Sequence, residues 1–423
     1  MNRLLRLFIV LAVLVSCCSV FAGTRHRAPA ETSLVRGNNS FALDLYRNLA
    51  EQDGNILVSP YSLSLVMAIA YSGAAGDTRQ EIGHVLHIPP YSGNNPEAHI
   101  EAISAQFGAL TQAVRGNIVK QGYELFPAVG MWAQQNYPFI PNFLEQCQKH
   151  FNAGLNKVDF RKSPDAVQKD VNAWVAKHTS NTIQELTIPD IKNPLNRLLV
   201  CSAVYFKGTW AAPFKKKYTR LSEFRVSKDK TIQVHMMHQK EEFEYADVGD
   251  VRVLKLRYFG TDMSFGDGVI NDVSMIILLP EADDGLSQLE NTLTPKLLDE
   301  YLGRTVPAMV DLYLPRFKIE FETNVADNLR KMGINAAFDA YKADFSGIDG
   351  KKHWMYLGSV VHKVCVEVDE TGTVAAASSA GLFRVMGMVD PGVFKADHPF
   401  LFIIRHNITG SLLFIGRVSN PKG

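Results

Sequence analysis

The amino-acid sequence predicts one large domain of the α+β class, and three features of its pattern support this. Apolar residues at helical spacing dominate the first part of the chain, whereas continuous apolar runs rich in β-branched and aromatic residues dominate the second part. The chain ends in two apolar runs around a turn that contains Asn407 and Gly410, which is typical of a β-hairpin. No repeat or Pro/Ser-rich linker divides the chain, so helices and strands are expected to share one core.

The first elements follow from local signals. Residues 23–37 are largely polar and basic and are expected to form a flexible segment ahead of a domain that spans residues 38–423. Apolar residues from Phe41 to Leu49 then predict an amphipathic helix, with the preceding asparagine and serine as candidate caps. A short buried strand follows, and Pro60 begins a helix that is apolar nearly all round and therefore central.

The later elements are helices and buried strands. Residues 166–181 have the pattern of an amphipathic helix, and residues 197–210 contain an apolar run that predicts a strand buried on both faces. Two more strands, in residues 273–280 and 310–322, and a helix that ends at Gly333 are predicted further along the chain.

Composition limits the classes of function. The chain has 423 residues, of which 46% are hydrophobic and 21% charged, as in ordinary globular proteins. The formal net charge is +1, so no overall field favours nucleic acid as a partner. Two short basic clusters, residues 214–218 and 350–352, are interpreted as solvated faces. The protein is expected to be a monomer.

The N-terminus has the pattern of a secretory signal peptide. A basic start, an apolar core and small or apolar residues at Val20 and Ala22 predict a leader over residues 1–22, cleaved after Ala22. The expected location is therefore extracellular. The alternative is a bacterial lipoprotein anchored through Cys17, because residues 14–17 also resemble a lipobox.

Glycosylation sequons and cysteines give further expectations. Asn38 and Asn407 each begin a sequon, and Asn38 is the preferred glycan site because its surroundings are polar. Beyond the leader, three widely spaced cysteines form neither a disulfide framework nor a metal-binding spacing. Of these, Cys201 and Cys365 lie in apolar runs and are expected to be buried thiols that act as small hydrophobes.

The sequence shows no catalytic chemistry. The common nucleophile, zinc-protease, phosphate-loop, redox and dinucleotide motifs do not occur in it. His235 and His238 form a close histidine pair, but two histidines without a third ligand are interpreted as structural. The chain is therefore not expected to be an enzyme or to hold a metal or cofactor.

Four blocks of the sequence resemble the serpin family, in the family's order and at its spacing. The resemblance extends from about residue 38 to residue 423. It implies the serpin fold, with three β-sheets, eight or nine helices and an exposed reactive loop at about residues 370–392. The blocks are "NILVSPYSLSLVMAIAYSGAAGDTRQEI" at 55–82, "AVYFKGTW" at 203–210, "VHKVCVEVDETGTVAAASSA" at 361–380 and "HPFLFIIRHNITGSLLFIGRV" at 398–418.

The family resemblance implies a suicide trap for serine proteases. In such a trap the protease cuts the exposed loop and forms an acyl-enzyme, and the cut loop then inserts into the large sheet as a new strand. The alternative is a non-inhibitory serpin, such as a carrier or a chaperone. No strong heparin site is expected, because Arg115 and Lys120 are the only lysine or arginine residues in residues 95–120.

The composition of the loop fits insertion. Side chains of an inserted strand alternate between its two faces, and a buried charge without a partner would cost several kcal/mol. Neither a charge nor a proline occurs on the face that begins at Thr373, which favours an inhibitory member. That face consists of Thr373, Ala375, Ala377, Ser379, Gly381, Phe383 and Val385, and the other of Val374, Ala376, Ser378, Ala380, Leu382 and Arg384.

The resemblance also assigns site residues. Glu370 and Gly372 match the acidic and glycine positions of the loop's hinge, and Arg316 matches the basic residue that pairs with that glutamate, a surface pair worth about 1 kcal/mol. Trp210 matches the tryptophan of the breach, where insertion begins. The hinge continues through Thr373, Ala375, Ala376 and Ala377, and the shutter beneath the sheet matches Ser59, Pro60, Ser62 and His362.

Two departures from the family pattern stand out. Ser202 occupies the position of an asparagine that normally bonds the shutter histidine, and serine has a shorter reach and fewer donors. This weakens the expected barrier to spontaneous insertion. Residues 265–272 lengthen a connection and are predicted to form a surface insert.

The scissile bond is predicted between Met386 and Gly387, by the family's spacing from Glu370. Counting back from the next strand selects Met388 instead. Methionine fits the apolar primary pockets of elastase-like, chymotrypsin-like or subtilisin-like enzymes. Arg384 is the alternative for a trypsin-like enzyme, with a shorter inserting segment.

Overall fold

A computed structural model of the chain confirms the α+β class. It describes residues 32–91, 93–115, 123–125, 128–204, 206–259, 273–373 and 392–423. Several predicted features lie outside these ranges, namely the leader, Cys17, the insert at 265–272, Ala375, Ala376, Ala377, Arg384, Met386, Gly387 and Met388.

The helices number ten within the described ranges, compared with the eight or nine expected. Five of the ten begin with proline in the first turn, where a missing N–H costs nothing. They are α1 (Ser33–Leu49), α2 (Pro60–Gly73), α3 (Gly76–Val85), α4 (Pro96–Val114), α5 (Pro141–Phe151), α6 (Pro164–His178), α7 (Leu286–Thr292), α8 (Pro295–Arg304), α9 (Ala326–Met332) and α10 (Ser346–Asp349).

Seventeen strands occur in the same ranges. They are β1 (Ile56–Val58), β2 (Tyr123–Leu125), β3 (Ala128–Gln134), β4 (Gly154–Val158), β5 (Leu198–Ala203), β6 (Phe206–Thr209), β7 (Arg220–Ser227), β8 (Lys230–Asp247), β9 (Val251–Arg257), β10 (Val273–Pro280), β11 (Val306–Pro315), β12 (Phe317–Asn324), β13 (Val361–Val368), β14 (Gly372–Thr373), β15 (Gly392–Lys395), β16 (Phe400–His406) and β17 (Leu412–Val418).

Hydrogen bonding joins the strands in four groups. The largest runs β1-β17-β16-β10-β9-β8-β11-β15, with β7 paired to β8. The other groups are β12-β13, β14-β6-β2 and β4-β3-β5. In the described part of the chain, no ladder joins β5 to β13, and this interruption positions the candidate site.

The core is built from the elements that the sequence marked as apolar. In α2 every residue except Val66 is buried, and all eight residues of β10 are buried. The predicted terminal hairpin is present as β16 and β17, which pair antiparallel. The helix predicted over residues 166–181 ends earlier, at His178, and α9 ends as predicted at Gly333, whose φ is 121°.

The start of the domain differs from the prediction. Residues 33–37, expected to be flexible, form the first turns of α1, and the Thr32 side chain caps the helix by accepting from the Val35 N–H at 3.3 Å. Leu34 and Val35 are buried. Leu34 lies seven residues before Phe41, and Val35 lies seven residues before the buried Ala42. Because residues seven apart share a helical face, Leu34 and Val35 extend the apolar stripe of α1. None of the helices in the described ranges is both long and apolar enough to cross a membrane.

Candidate functional site

The predicted shutter residues come together where β1 leads into α2. Ser59 caps α2, since its Oγ accepts from the Ser62 N–H at 3.3 Å. The same hydroxyl donates to the Leu413 carbonyl at 2.8 Å. The Ser59 N–H donates to Nε2 of His362 at 3.0 Å, and Pro60 occupies the first turn, where it leaves no unmet donor. One serine therefore links the helix, β17 and β13.

His362 is neutral in this arrangement. Burial lowers the pKa of His362 to about 4. Nε2 therefore carries no proton and can accept the hydrogen bond from the Ser59 N–H. The Ser202 hydroxyl on β5 is buried and has no hydrogen-bond partner in the described part of the chain. Ser202 therefore does not replace the asparagine's bond to the histidine, as its short side chain predicted.

Glu370 and Arg316 form the predicted hinge pair, but it is not a surface pair. The Glu370 side chain is only 1% exposed, whereas that of Arg316 is 39% exposed. Arg316 Nε donates to Glu370 Oε1 at 2.8 Å, and its Nη2 and the Thr219 hydroxyl donate to the same oxygen. Burial opposes ionisation of the carboxyl, but these hydrogen bonds outweigh it and lower the pKa of Glu370. Removing Arg316 would therefore leave a buried charge unpaired.

A tight turn reverses the chain after β13. The Asp369 carboxylate accepts from the N–H groups of Thr371 at 2.8 Å and Gly372 at 3.2 Å, and the Asp369 N–H donates to the Gly372 carbonyl at 3.0 Å. Gly372 has φ 147°, and a Cβ there would lie 2.0 Å from the Gly208 carbonyl oxygen. Only glycine fits this position, because the strand backbone comes so close.

Trp210 holds this turn against the sheet. Its backbone N–H donates to the Thr371 carbonyl and its indole N–H to the Asp369 carbonyl, both at 3.0 Å. The indole stacks on Tyr258 with a centroid distance of 4.6 Å. The Tyr258 and Thr373 hydroxyls are hydrogen bonded at 2.9 Å. The predicted breach tryptophan therefore contacts the start of the loop.

An unpaired slot lies between β5–β6 and β13. Gly372 pairs with Thr209 and Thr373 with Gly208, antiparallel. Strands β5 and β6 act as one strand, because their pairing with β3 and β2 keeps one register, with Ala203 opposite Ala128 and Phe206 opposite Leu125. A strand that continued from Thr373 in this register would run along β5, on the side where β5 has no hydrogen-bonded neighbour among the described residues.

A cavity of about 500 Å³ lies at the far end of this slot. It opens beside the first residues of β5 and the segment 354–360 that precedes β13. Most of its deep walls are apolar. These walls include Met67, Ala70, Phe143, Phe345 and Ile348.

The other candidate sites have different outcomes. Nε2 of His238 lies 2.6 Å from Asp311 Oδ1, and its ring stacks on Tyr313 at 4.4 Å, which fits the structural interpretation of that histidine. No group of three or more metal-binding side chains occurs in the portion described.

The cysteines differ in burial. Burial raises the pKa of Cys147 and Cys201 to about 12. Cys147 is fully buried, whereas Cys365, which was expected to be buried, is only partly so.

The preferred glycan site is wrong for the folded chain. Asn38 lies inside α1 with its side chain 2% exposed, so a glycan could not be accommodated there without unfolding the helix. Asn407 is partly exposed in the β16–β17 turn, and its Nδ2, the atom that would carry a glycan, donates to Ser274 Oγ at 2.8 Å.

Two residues that touch the hinge were not found from the sequence. Thr219 follows a lysine cluster, and Tyr258 follows an ordinary alternating strand. Each depends on a contact more than a hundred residues away in the chain, and no local signal marks such a contact.

Comparisons with known proteins agree with this geometry. Residues 36–421 match the family model for serpin (serine protease inhibitor). The chain is 36% identical over 403 residues to leukocyte elastase inhibitor of Homo sapiens, covering 92% of this chain and 99% of that protein. It is similar to uncleaved ovalbumin, with TM-score 0.76, 27% identity and coverage of 92% and 100%. It is also similar to a loop-inserted structure of a cleaved ovalbumin mutant, with TM-score 0.80, 26% identity and coverage of 92% and 100%.

Proposed function

Because this chain belongs to the serpin family and is a serine protease inhibitor, we propose that it inhibits by suicide-substrate trapping. The protease cuts the loop after Thr373 and forms an ester between its serine and the new carboxyl end of the loop. The loop then inserts into the slot and carries the attached protease with it. In this proposal the catalytic groups belong to the protease, and the chain acts as its trapped substrate.

The observation that carries this proposal is the register of β14 on β6. Ten residues beyond Thr373 is Phe383, and ten residues before Gly208 is Leu198, so an inserted strand would place Phe383 opposite Leu198. Leu198 and Val200 pack against the main core, whereas Leu199 packs with the cluster beneath α6. Directly opposed residues share a side of the sheet.

It follows that the face beginning at Thr373 turns toward the main core. This is the face on which every residue is small or apolar. Phe383 and Val385, the largest members of that face, would then arrive at the apolar cavity beside the start of β5. Filling the cavity with apolar groups supplies part of the free energy that drives insertion, since apolar burial contributes roughly 25 cal/mol per Å².

The scissile bond is proposed between Met386 and Gly387, with Met388 and Arg384 as the alternatives. The relative named leukocyte elastase inhibitor supports an elastase-like target, and methionine also fits chymotrypsin-like and subtilisin-like pockets. A cut after Arg384 would shorten the inserted strand by two residues, about 7 Å, and is expected to give turnover more than trapping.

A protease panel tests the trapping function. We expect an elastase-like or chymotrypsin-like enzyme to form an SDS-stable complex with the full chain, near one inhibitor per protease. The released C-terminal peptide should begin at Gly387, and the cleaved protein should melt at a higher temperature than the intact one. Cleavage without complex and without this gain in stability would indicate a non-inhibitory serpin, such as a carrier or chaperone.

We further propose that the mature chain is a secreted monomer that begins at Gly23. The support is the leader pattern over residues 1–22 and the burial of Cys147 and Cys201, which shields both thiols from oxidation. Expression with the native leader should yield protein in the medium with Gly23 as its first residue and a single monomer peak on size exclusion. A chain that keeps Cys17 and takes up a lipid label would support the lipoprotein alternative.

A further inference from the structure

A cluster of unpaired cations lies beside the hinge. Lys215, Lys216, Lys217 and Arg220 are exposed, and no carboxylate of the described residues lies within 4 Å of their charged atoms. In the other basic region, residues 350–352, Lys352 by contrast lies 3.7 Å from the Asp344 carboxylate. Because the net charge of the whole chain is only +1, the first cluster is a local concentration of positive charge.

The position of the cluster links it to the loop. Thr219, which lies between Lys217 and Arg220, donates to the hinge carboxylate of Glu370. From there the surface continues over β8 and β11 to β15. The described chain stops at Thr373 and resumes at Gly392 in β15. The cluster and the adjoining surface of β8 and β11 therefore lie between the two ends of the segment that a protease must cut.

We define the basic face as Lys215, Lys216, Lys217, Tyr218 and Arg220. We propose that this face is a docking site for an acidic patch on the target protease. An enzyme bound to the loop must lie over the end of the molecule from which the loop leaves, so its surface faces these cations. Four unpaired charges in six residues attract an acidic surface over the Debye length, about 8 Å at physiological salt. The inference rests on the proposed trapping function.

The surroundings of the basic face fit a protein partner. Lys217 lies 5.0 Å from the Tyr218 ring centroid, and Tyr218 meets His238 edge-on at 6.4 Å. The charge is compact, because the lysines share one 3-10 turn, and aromatic groups and the His238–Asp311 pair adjoin it. Exposed charges of this kind suit the polar rim of a protein interface, where they act mainly on the rate of association.

The test measures the second-order rate constant of complex formation for the full chain. The probes are an anionic and a cationic chymotrypsin with the same substrate preference. In the test variant Lys215, Lys216 and Lys217 are replaced by alanine. The matched control replaces Lys342, Lys351 and Lys352, which removes the same charge before β13, at the opposite end of that strand from the hinge. A third variant replaces the three lysines of the basic face by arginine.

At about 50 mM salt the alanine variant should inhibit the anionic enzyme about tenfold more slowly, since electrostatic steering changes association rates by roughly 10 to 10³. The difference should vanish near 1 M salt, where the Debye length is about 3 Å. The control and the arginine variant should keep the wild-type rate. Inhibition of the cationic enzyme should not slow.

Three results would overturn the inference. One is an unchanged rate with the anionic enzyme although SDS-stable complex still forms, which leaves the trapping function intact. Another is a changed ratio of complex to cleaved protein, which would place the effect in the hinge. The third is acceleration by heparin that the alanine variant loses, without dependence on protease charge, which would make the face a polyanion site.

Discussion

Replacing Thr373 by arginine should turn the inhibitor into a substrate. Thr373 is 1% exposed, and its hydroxyl bonds to Tyr258 at 2.9 Å. It pairs with Gly208 at the start of the slot and belongs to the face that, in the proposed insertion, would turn toward the main core. An arginine there has to bury its guanidinium beside Tyr258 or keep the start of the loop out of the sheet.

The magnitude follows from the cost of a buried, unpaired charge, about 3–5 kcal/mol. Each 1.4 kcal/mol on a barrier is about a factor of ten in rate, so insertion should slow by roughly 10² to 4 × 10³. Hydrolysis of the acyl-enzyme is unaffected and therefore wins the competition. The number of inhibitors consumed per protease should rise from near one to well above ten.

The assay is titration of a protease that traps with the wild-type chain, read by residual activity and by SDS gels. Val374→Arg is the matched control, because strand alternation places residue 374 on the opposite face. Thr373→Val is a second control that keeps the shape and loses only the hydroxyl. Undiminished complex formation by Thr373→Arg would refute the reasoning, and equal loss in Val374→Arg would show that the faces are not distinguished.

Three further outcomes are expected. Ser202→Asn should raise the thermal midpoint of the intact protein by about one degree, because one added hydrogen bond to His362 is worth about 1 kcal/mol and the entropy of unfolding of a domain this large is high. Ser202→Ala is the control, and an unchanged or lower midpoint for the asparagine variant would contradict this. Burial lowers the pKa of His362 and His406 to about 4, so below pH 6.5 the unfolded chain binds protons that the folded chain refuses. Stability should therefore fall between pH 6.5 and 4, by up to about 3 kcal/mol per histidine. Urea midpoints measured across this range should show the fall, and the fall should be smaller in His362→Gln. A stability that does not change with pH would contradict the prediction. Arg316→Ala should destabilise the intact form by about 3 kcal/mol or more, since it leaves the Glu370 charge buried, and a midpoint within one degree of wild type would show that the pair is dispensable.

Local patterns were sufficient for most elements and for the site motifs. The apolar helix after Pro60 is central, the run at 273–280 is a fully buried strand, and Gly333 ends its helix. These three features depend on residue type and spacing, which can be read directly from the sequence. The resemblance to the serpins likewise paired Arg316 with the hinge residue Glu370 and placed Trp210 in the breach, and the structure brings these residues to the turn after β13.

Local patterns failed where a polar surrounding concealed burial. The start of α1 was expected to be flexible because charged and polar residues flank Leu34 and Val35, and Asn38 was taken for a surface glycan site. Leu34, Val35 and Asn38 are all buried in the folded chain. The Glu370 pair was expected at the surface for the same reason, since charged residues are seldom buried unless they are paired.

The sequence by itself determined the fold class, the order of elements, the family and the uncharged face of the loop. Each of these follows from the types of residue and their spacing along the chain. Only the tertiary structure supplied the register from which we propose which way that face would turn on insertion. The pairing of Thr373 with Gly208 and the cavity beside the start of β5 are relations between segments more than a hundred residues apart. Such contacts form because burial against a particular neighbour outweighs local preference, and the identity of that neighbour appears only when the chain is folded.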